Sequence, residues 1–117
     1  MSYDILSRWT GAVIYSSAEA EDVCGAVNEA VRDHASLDHA LLDGASLDYA
    51  RLEGASLDYA RLDCARLDCA RLEGASLDHA RLDGATLMGA RLIGASLVGA
   101  TLDHTVVDGV SEGDLEK

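Results

Sequence analysis

Residues 35–104 divide without a slip into fourteen consecutive pentapeptides, from Ala-Ser-Leu-Asp-His at Ala35 to Ala-Thr-Leu-Asp-His at Ala100. Every first position is Ala and every third is Leu, Leu37 through Leu102. A strict internal period constrains the fold more than any local propensity does. A period of five suits neither ordinary element. A helix repeats its apolar face near 3.6 residues and a strand near 2. Leucine at every fifth helical residue would advance about 140° per step and wander around the axis, so no face would stay buried. A coil in which each unit forms one side resolves the conflict. Ala and Leu then point inward, and the other three positions face solvent. The interior of a narrow coil is crowded, so Ala is small by necessity and Leu fills the remaining space at near-crystalline density.

The Ala-x-Leu-x-x units resemble the pentapeptide-repeat family across about 60% of the chain. The resemblance implies a β fold: a right-handed quadrilateral β-helix with four units per turn. Fourteen units would make about three and a half coils, a rod of roughly 17 Å at the spacing of hydrogen-bonded strands. The chain departs from many relatives in having no Phe, so Leu alone fills the axis.

Such a core is thin and linear, so its stability depends on stacking neighbouring coils. At 117 residues the chain reads as one structural domain in three parts. These are an N-terminal hairpin and capping helix (1–34), the repeat block (35–109) and an acidic tail (110–117). Each part is acidic, and the net charge is −12. Direct binding to nucleic acid or to an anionic membrane surface is therefore disfavoured. No apolar run is long enough to span a bilayer and no signal peptide is visible. Three cysteines, Cys24, Cys64 and Cys69, form no Cys-x-x-Cys pair. An odd count without a secretion signal points to a reducing cytoplasm, which the phage resemblance of the N-terminal segment would make that of a bacterial host cell.

Residues 1–17 read as a hairpin, with strands over Tyr3–Trp9 and Ala12–Tyr15 and a turn at Thr10-Gly11. The run from Arg8 to Val13 resembles a segment that precedes pentapeptide repeats in some phage and prophage proteins, which points to a phage or mobile-element origin. Residues 18–34 read as a helix with a capping box formed by Ser16 and Glu19. Glu19, Glu21 and Asp22 fall in its first turn, and Val23, Val27, Ala30 and Val31 form its apolar stripe. A solenoid needs such an element to cover the exposed backbone and apolar axis of its first coil. Residues 105–109 look like a decayed fifteenth unit.

Four units per turn would stack residues twenty apart and sort the surface into faces. The first carries Asp38, Asp58 and Asp78 with His39, Tyr59 and His79, and no Arg. The second carries Asp43, Asp63 and Asp83, with Arg61 and Arg81 among them. The third carries Asp48, Tyr49, Arg66 and Asp68, and the fourth sets Arg51, Arg71 and Arg91 against Glu53 and Glu73. Alternating charges on the fourth face should compensate as solvated pairs. Like charges in register on the first face should repel. Two readings follow. Either the acids are tolerated on an exposed β-surface, or the first face and its neighbour present a regular anionic surface resembling duplex phosphates.

In the last coil Met88, Ile93 and Val98 replace the outward acid in three consecutive units. This apolar collar is either covered by residues 105–117 or is a homodimer interface. Some pentapeptide-repeat proteins are similar in dimerising through their C-terminal coils, and a two-fold dimer would lengthen the anionic surface.

Catalysis and metal binding find little support. Ser76, Asp78 and His79 are the residue types of a hydrolase triad, but sit on one open side with no oxyanion hole. His39 and His79 would lie near 10 Å apart, too far to share a metal. Cys64 and Cys69 read as free thiols, and no cofactor is implied.

The surface then points to a non-enzymatic DNA mimic that occupies the DNA-binding site of a basic nucleic-acid-binding protein. Its contacts would be Asp38, Asp58, Asp78, Asp43, Asp63, Asp83 and Asp48, with Tyr49 and Tyr59. Resemblance to phage proteins suggests a counter-defence (anti-CRISPR-like) protein that blocks target-DNA binding by a CRISPR effector complex. Resemblance to acidic pentapeptide-repeat DNA mimics suggests DNA gyrase instead. The rival reading is a structural or scaffold solenoid whose charge serves solubility.

Overall fold

The computed structural model describes residues 3–107. Two short strands, β1 (Tyr3–Leu6) and β2 (Val13–Ser17), pair antiparallel from Tyr3 opposite Ser17 to Leu6 opposite Val13, with a register irregularity after Ile5. The hairpin is thus present with a first strand that ends earlier, a second that starts one residue later and runs on to Ser17, and a wider loop than the sequence suggests. Ser7 leaves the hairpin to bridge Ala40 of the repeats, and Leu6 accepts a 2.7 Å bond from the Leu41 N–H. Competition from the repeat block ends β1 there.

Helix α1 runs over Val23–Arg32, starting later than the expected capping box would place it. Its N-cap is Asp22, whose carboxylate accepts the Gly25 N–H at 2.8 Å. Ser16 instead faces the partner strand and donates to Asp4, while the Ser17 hydroxyl accepts the Glu19 and Ala20 N–H groups in a local turn. That turn satisfies the donors a longer helix would have used. Glu19, Glu21 and Asp22 therefore precede the helix. Ala26, Val27 and Ala30 are its buried residues, with Val23 and Val31 half-buried beside them.

From Leu37 onward each pentapeptide repeats one hydrogen-bond programme. The second position bridges its counterpart twenty residues on, parallel: Leu41 with Arg61, Ser56 with Ser76, Arg71 with Arg91. Four units therefore make one turn of a β-solenoid. The Leu N–H donates to the next coil (Leu57 to Ser76, 2.8 Å), as does the fifth-position N–H (Tyr59 to Asp78, 2.9 Å). The second-position N–H donates back (Ser76 to Ala55, 2.8 Å). Each unit then turns a corner closed by the next Ala N–H on the Leu carbonyl, as from Ala60 to Leu57. This turn needs positive φ at the fifth position, which explains the glycines there. His39, Tyr49, Tyr59, Cys64, Cys69 and His79 adopt it as well, at φ 60–69°. The third-position leucines from Leu37 to Leu97 are all buried, whereas Leu41, at a second position, is exposed. One apolar cluster joins them to Ile5, Ala26, Val27 and Ala30, so the N-terminal elements share the solenoid's core.

Val106 bridges Thr86 and donates to Ala85, so the decayed unit begins as a repeat. Its remainder and the acidic tail lie outside the described residues. Among the described residues no helix is long and apolar enough to cross a membrane.

Candidate functional site

The outward fourth position shows why Asp is favoured. Its backbone N–H finds no main-chain acceptor in the coil, so the Asp one coil earlier supplies one. Asp38 Oδ1 accepts the Asp58 N–H at 2.9 Å, and Asp58 Oδ1 accepts that of Asp78 at 3.1 Å. Asp78 Oδ1 accepts that of Val98 at 3.0 Å. Parallel ladders run Asp43–Asp63–Asp83–Asp103 and Asp48–Asp68–Met88. The fourth face carries Glu53 and Glu73, and neither forms such a bond among the described residues. One extra methylene takes the carboxylate past the donor and toward arginine.

The faces differ in what neutralises these acids. Arg61 lies 2.9 Å from Asp43 and 3.8 Å from Asp63, and Arg81 lies 3.3 Å from Asp63 and 3.6 Å from Asp83. Arg66 spans Asp48 and Asp68, and Arg71 spans Glu53 and Glu73, which Arg91 also meets at 2.8 Å. On the first face serine replaces arginine. The hydroxyls of Ser56, Ser76 and Ser96 donate to Asp38, Asp58 and Asp78 respectively. These acids have hydrogen bonds but no counter-ion among the described residues. Formal charge is thus graded around the repeat block: −3, −2, −1 and +1 from the first face to the fourth. The anionic side is the first face with its neighbour.

A column of rings runs along the corner that follows the first face. Tyr59 stacks on His79 with centroids 4.8 Å apart and planes 17° from parallel. His39 meets Tyr59 edge-on at 5.5 Å, and Trp9 meets His39 edge-on at 6.1 Å. The hairpin loop places Trp9 there, since the Arg8 N–H donates to the His39 carbonyl at 2.7 Å. The Arg8 guanidinium lies 4.3 Å from the Trp9 ring centroid, and its Nη1 donates to the Tyr59 carbonyl at 3.0 Å. Burial, then the guanidinium groups of Arg61 and Arg81, lower the Arg8 pKa below its ordinary value. Trp9 is 59% and Tyr59 42% exposed.

Of the residues singled out by sequence, Asp38, Asp58, Asp78 and Tyr59 come together on this side. Asp43, Asp63 and Asp83 occupy the adjacent face in ion pairs. Asp48 and Tyr49 lie a further face away, where Tyr49 is 74% exposed. Sequence reasoning missed Arg8 and Trp9, which lie outside the repeats and carry no periodic signal. Met88, Ile93 and Val98 are exposed. Met88 and Val98 each donate to an acid of the preceding coil, like the Asp residues they replace. As apolar residues they offer no acceptor to a coil beyond.

Cys64 and Cys69 are exposed free thiols on adjacent corners. Burial, more than the nearby Asp22, pushes the Cys24 thiol up. Among the described residues no group of His, Cys, Asp or Glu could hold a metal ion.

The family model for pentapeptide repeats matches residues 35–68 and 65–103. No curated protein matches the chain. Solved structures similar to it include the pentapeptide repeat protein Rfr23 from the cyanobacterium Cyanothece 51142. It is 37% identical over 65% of this chain and 55% of that one, with a TM-score of 0.47. HetL, involved in heterocyst differentiation regulation in Nostoc sp. strain PCC 7120, is 38% identical over 64% of this chain and 39% of that one, with a TM-score of 0.37. Another Nostoc PCC 7120 pentapeptide repeat protein is 32% identical over 67% of this chain and 70% of that one, with a TM-score of 0.39. The chain spans 55% of Rfr23 and 39% of HetL. With its repeat block matched over more than half its length, the chain belongs to the pentapeptide-repeat family.

Proposed function

We propose that this protein is a non-enzymatic DNA mimic, a right-handed solenoid whose first face occupies the DNA-binding surface of a basic protein. The supporting observation is that no repeat unit of that face carries an arginine; Arg8, from the hairpin loop, meets the Tyr59 carbonyl at its corner and pairs with none of its acids among the described residues. Asp38, Asp58 and Asp78 keep their charge where every other acid ladder holds guanidinium partners. The neighbouring Asp43, Asp63 and Asp83 share two arginines, so the footprint centres on the first face and is narrower than the acid count suggests. Asp48 and Tyr49 lie at its margin. In this reading the hairpin and α1 cap the first coil, and Met88, Ile93 and Val98 join two copies into a longer anionic rod. The target we favour is a CRISPR effector complex in a bacterial cytoplasm, in keeping with the phage-like segment Arg8–Val13. DNA gyrase is the alternative.

A scaffold reading draws on a different observation. Each Asp Oδ1 is bound within the coil, which by itself gives the acids a structural purpose. The two readings separate in the triple variant D38N/D58N/D78N. Asparagine keeps the acceptor oxygen and removes the charge, so the fold should persist in both cases. Purified protein would be used to capture partners from a bacterial lysate at low and high salt. The mimic reading expects the unmodified chain to retain an effector subunit or gyrase, released by salt, and the triple variant to retain neither. Equal capture by both proteins, or no basic protein captured at low salt, favours the scaffold.

A further inference from the structure

The ring column and the unneutralised acids lie side by side, and both face outward. We infer that the partner is engaged through arginine side chains, and that the surface that receives them extends past the repeats onto the N-terminal hairpin at Trp9. This rests on the proposal that the first face is the partner surface. It adds the chemistry of the occupant and two residues, Arg8 and Trp9, that no repeat pattern marks.

Three features carry it. The column is held in place before any partner arrives. His39, Tyr59 and His79 project from corner residues whose backbone is fixed by coil-to-coil bonds, and each ring touches the next. Ordering such side chains on binding is a cost this surface has largely met already. The acids beside the column have one oxygen committed and one open. Oδ1 of Asp38, Asp58 and Asp78 takes the next coil's N–H and serine hydroxyl, while Oδ2 has no partner among the described residues. Finally, the chain seats a guanidinium here itself. Arg8 lies over Trp9 and donates to the Tyr59 carbonyl, so ring and carbonyl oxygen are spaced for a planar cation.

A planar guanidinium can use all of these at once. It packs on an aromatic ring and spends its remaining N–H groups on carbonyl or carboxylate oxygens. A lysine ammonium gains the charge attraction but loses the planar match. The inference therefore predicts a preference between two cations of equal charge, which net charge alone would not make, and assigns part of it to the rings.

The test is calorimetric titration of the full chain with nona-arginine and nona-lysine peptides at matched low salt. Emission from Trp9, the sole tryptophan, gives a second readout. Nona-arginine should bind about tenfold more tightly and perturb Trp9 emission. Replacing Tyr59 with Leu, or separately Trp9 with Leu, should narrow that gap to about twofold by weakening nona-arginine much more than nona-lysine. The variant D38N/D58N/D78N should weaken both peptides. Equal affinity of the unmodified chain for the two peptides overturns the arginine inference and leaves the acidic-face proposal standing. A gap that survives both ring substitutions also overturns it, because the preference then lies elsewhere. Binding of neither peptide sinks the acidic-face proposal and this inference with it.

Discussion

Replacing Asp58 with Ala tests whether the acid ladder holds the coils together. Asp58 Oδ1 accepts two bonds from the following coil, from the Asp78 N–H at 3.1 Å and from the Ser76 hydroxyl. Hydrogen bonds to a charged acceptor contribute about 1.5–3 kcal/mol each, with larger losses when the abandoned donor is buried. Asp58 is only half-buried, so water recovers part of the loss. Removing its charge also relieves repulsion with Asp38 and Asp78. The net cost should be about 2 kcal/mol, or roughly a 1 M fall in the urea midpoint for a chain of this size. Asp58→Asn keeps the acceptor oxygen and should stay within about 0.5 kcal/mol of the parent. Asp103→Ala is the matched control. Asp103 occupies the same position but accepts no such bond among the described residues, so its loss should also fall within about 0.5 kcal/mol. Urea unfolding followed by circular dichroism at fixed salt reads all three variants. If Asp58→Ala and Asp103→Ala shift the midpoint equally, the ladder is not what stacks the coils, and the assignment of Oδ1 fails.

Gly99 and Gly54 share a positive φ near 70° but differ in surroundings. An added Cβ at Gly54 meets nothing within 4 Å, whereas at Gly99 it falls 2.5 Å from His79 Nδ1. Gly54→Ala should cost about 1 kcal/mol for backbone strain alone, and Gly99→Ala clearly more; His79→Ala should erase the difference in thermal melts. The Tyr15 hydroxyl lies 2.9 Å from a carboxylate oxygen of both Glu29 and Asp33, which share its one proton, and desolvation together with those carboxylates raises its pKa well above the ordinary tyrosine range. The folded state therefore holds this proton more tightly than the unfolded one. Its contribution is complete below pH of about 10 and is lost as pH rises beyond it. Tyr15→Phe should flatten that alkaline decline in a pH series of urea midpoints, and an unchanged slope would refute the assignment. Ile93→Lys should convert a dimer to a monomer in sedimentation; an unmodified chain that is monomeric at high concentration removes the proposed interface.

The acids show most clearly how far sequence reasoning reached. Their register on four faces was legible, because twenty-residue stacking follows from five-residue units once four of them make a turn. Their purpose was not. From the sequence, Asp38, Asp58 and Asp78 are like charges in costly register. In the fold, each offers an oxygen to an N–H that the coil leaves without a main-chain acceptor. The preference for Asp over Glu has the same origin. The helix start was misplaced for a related reason: Ser16 and Glu19 satisfy a capping pattern, but Ser17 claims the local donors and Asp22 becomes the cap.

By itself the sequence determined a solenoid with inward Ala and Leu and one side per unit, and the family resemblance, which implies four units to a turn, placed every repeat residue on a face. A strict period is a symmetry of the chain, and a symmetric chain leaves few ways to bury one small and one large side chain in each unit. Only the tertiary structure decided what each acid binds, because the Oδ1 bonds to the next coil and the serine hydroxyls of the first face depend on which groups meet across stacked coils. It also decided that Arg8 and Trp9 extend the ring column of His39, Tyr59 and His79. That junction joins an aperiodic segment to a periodic one, and no repeat can specify where the two meet.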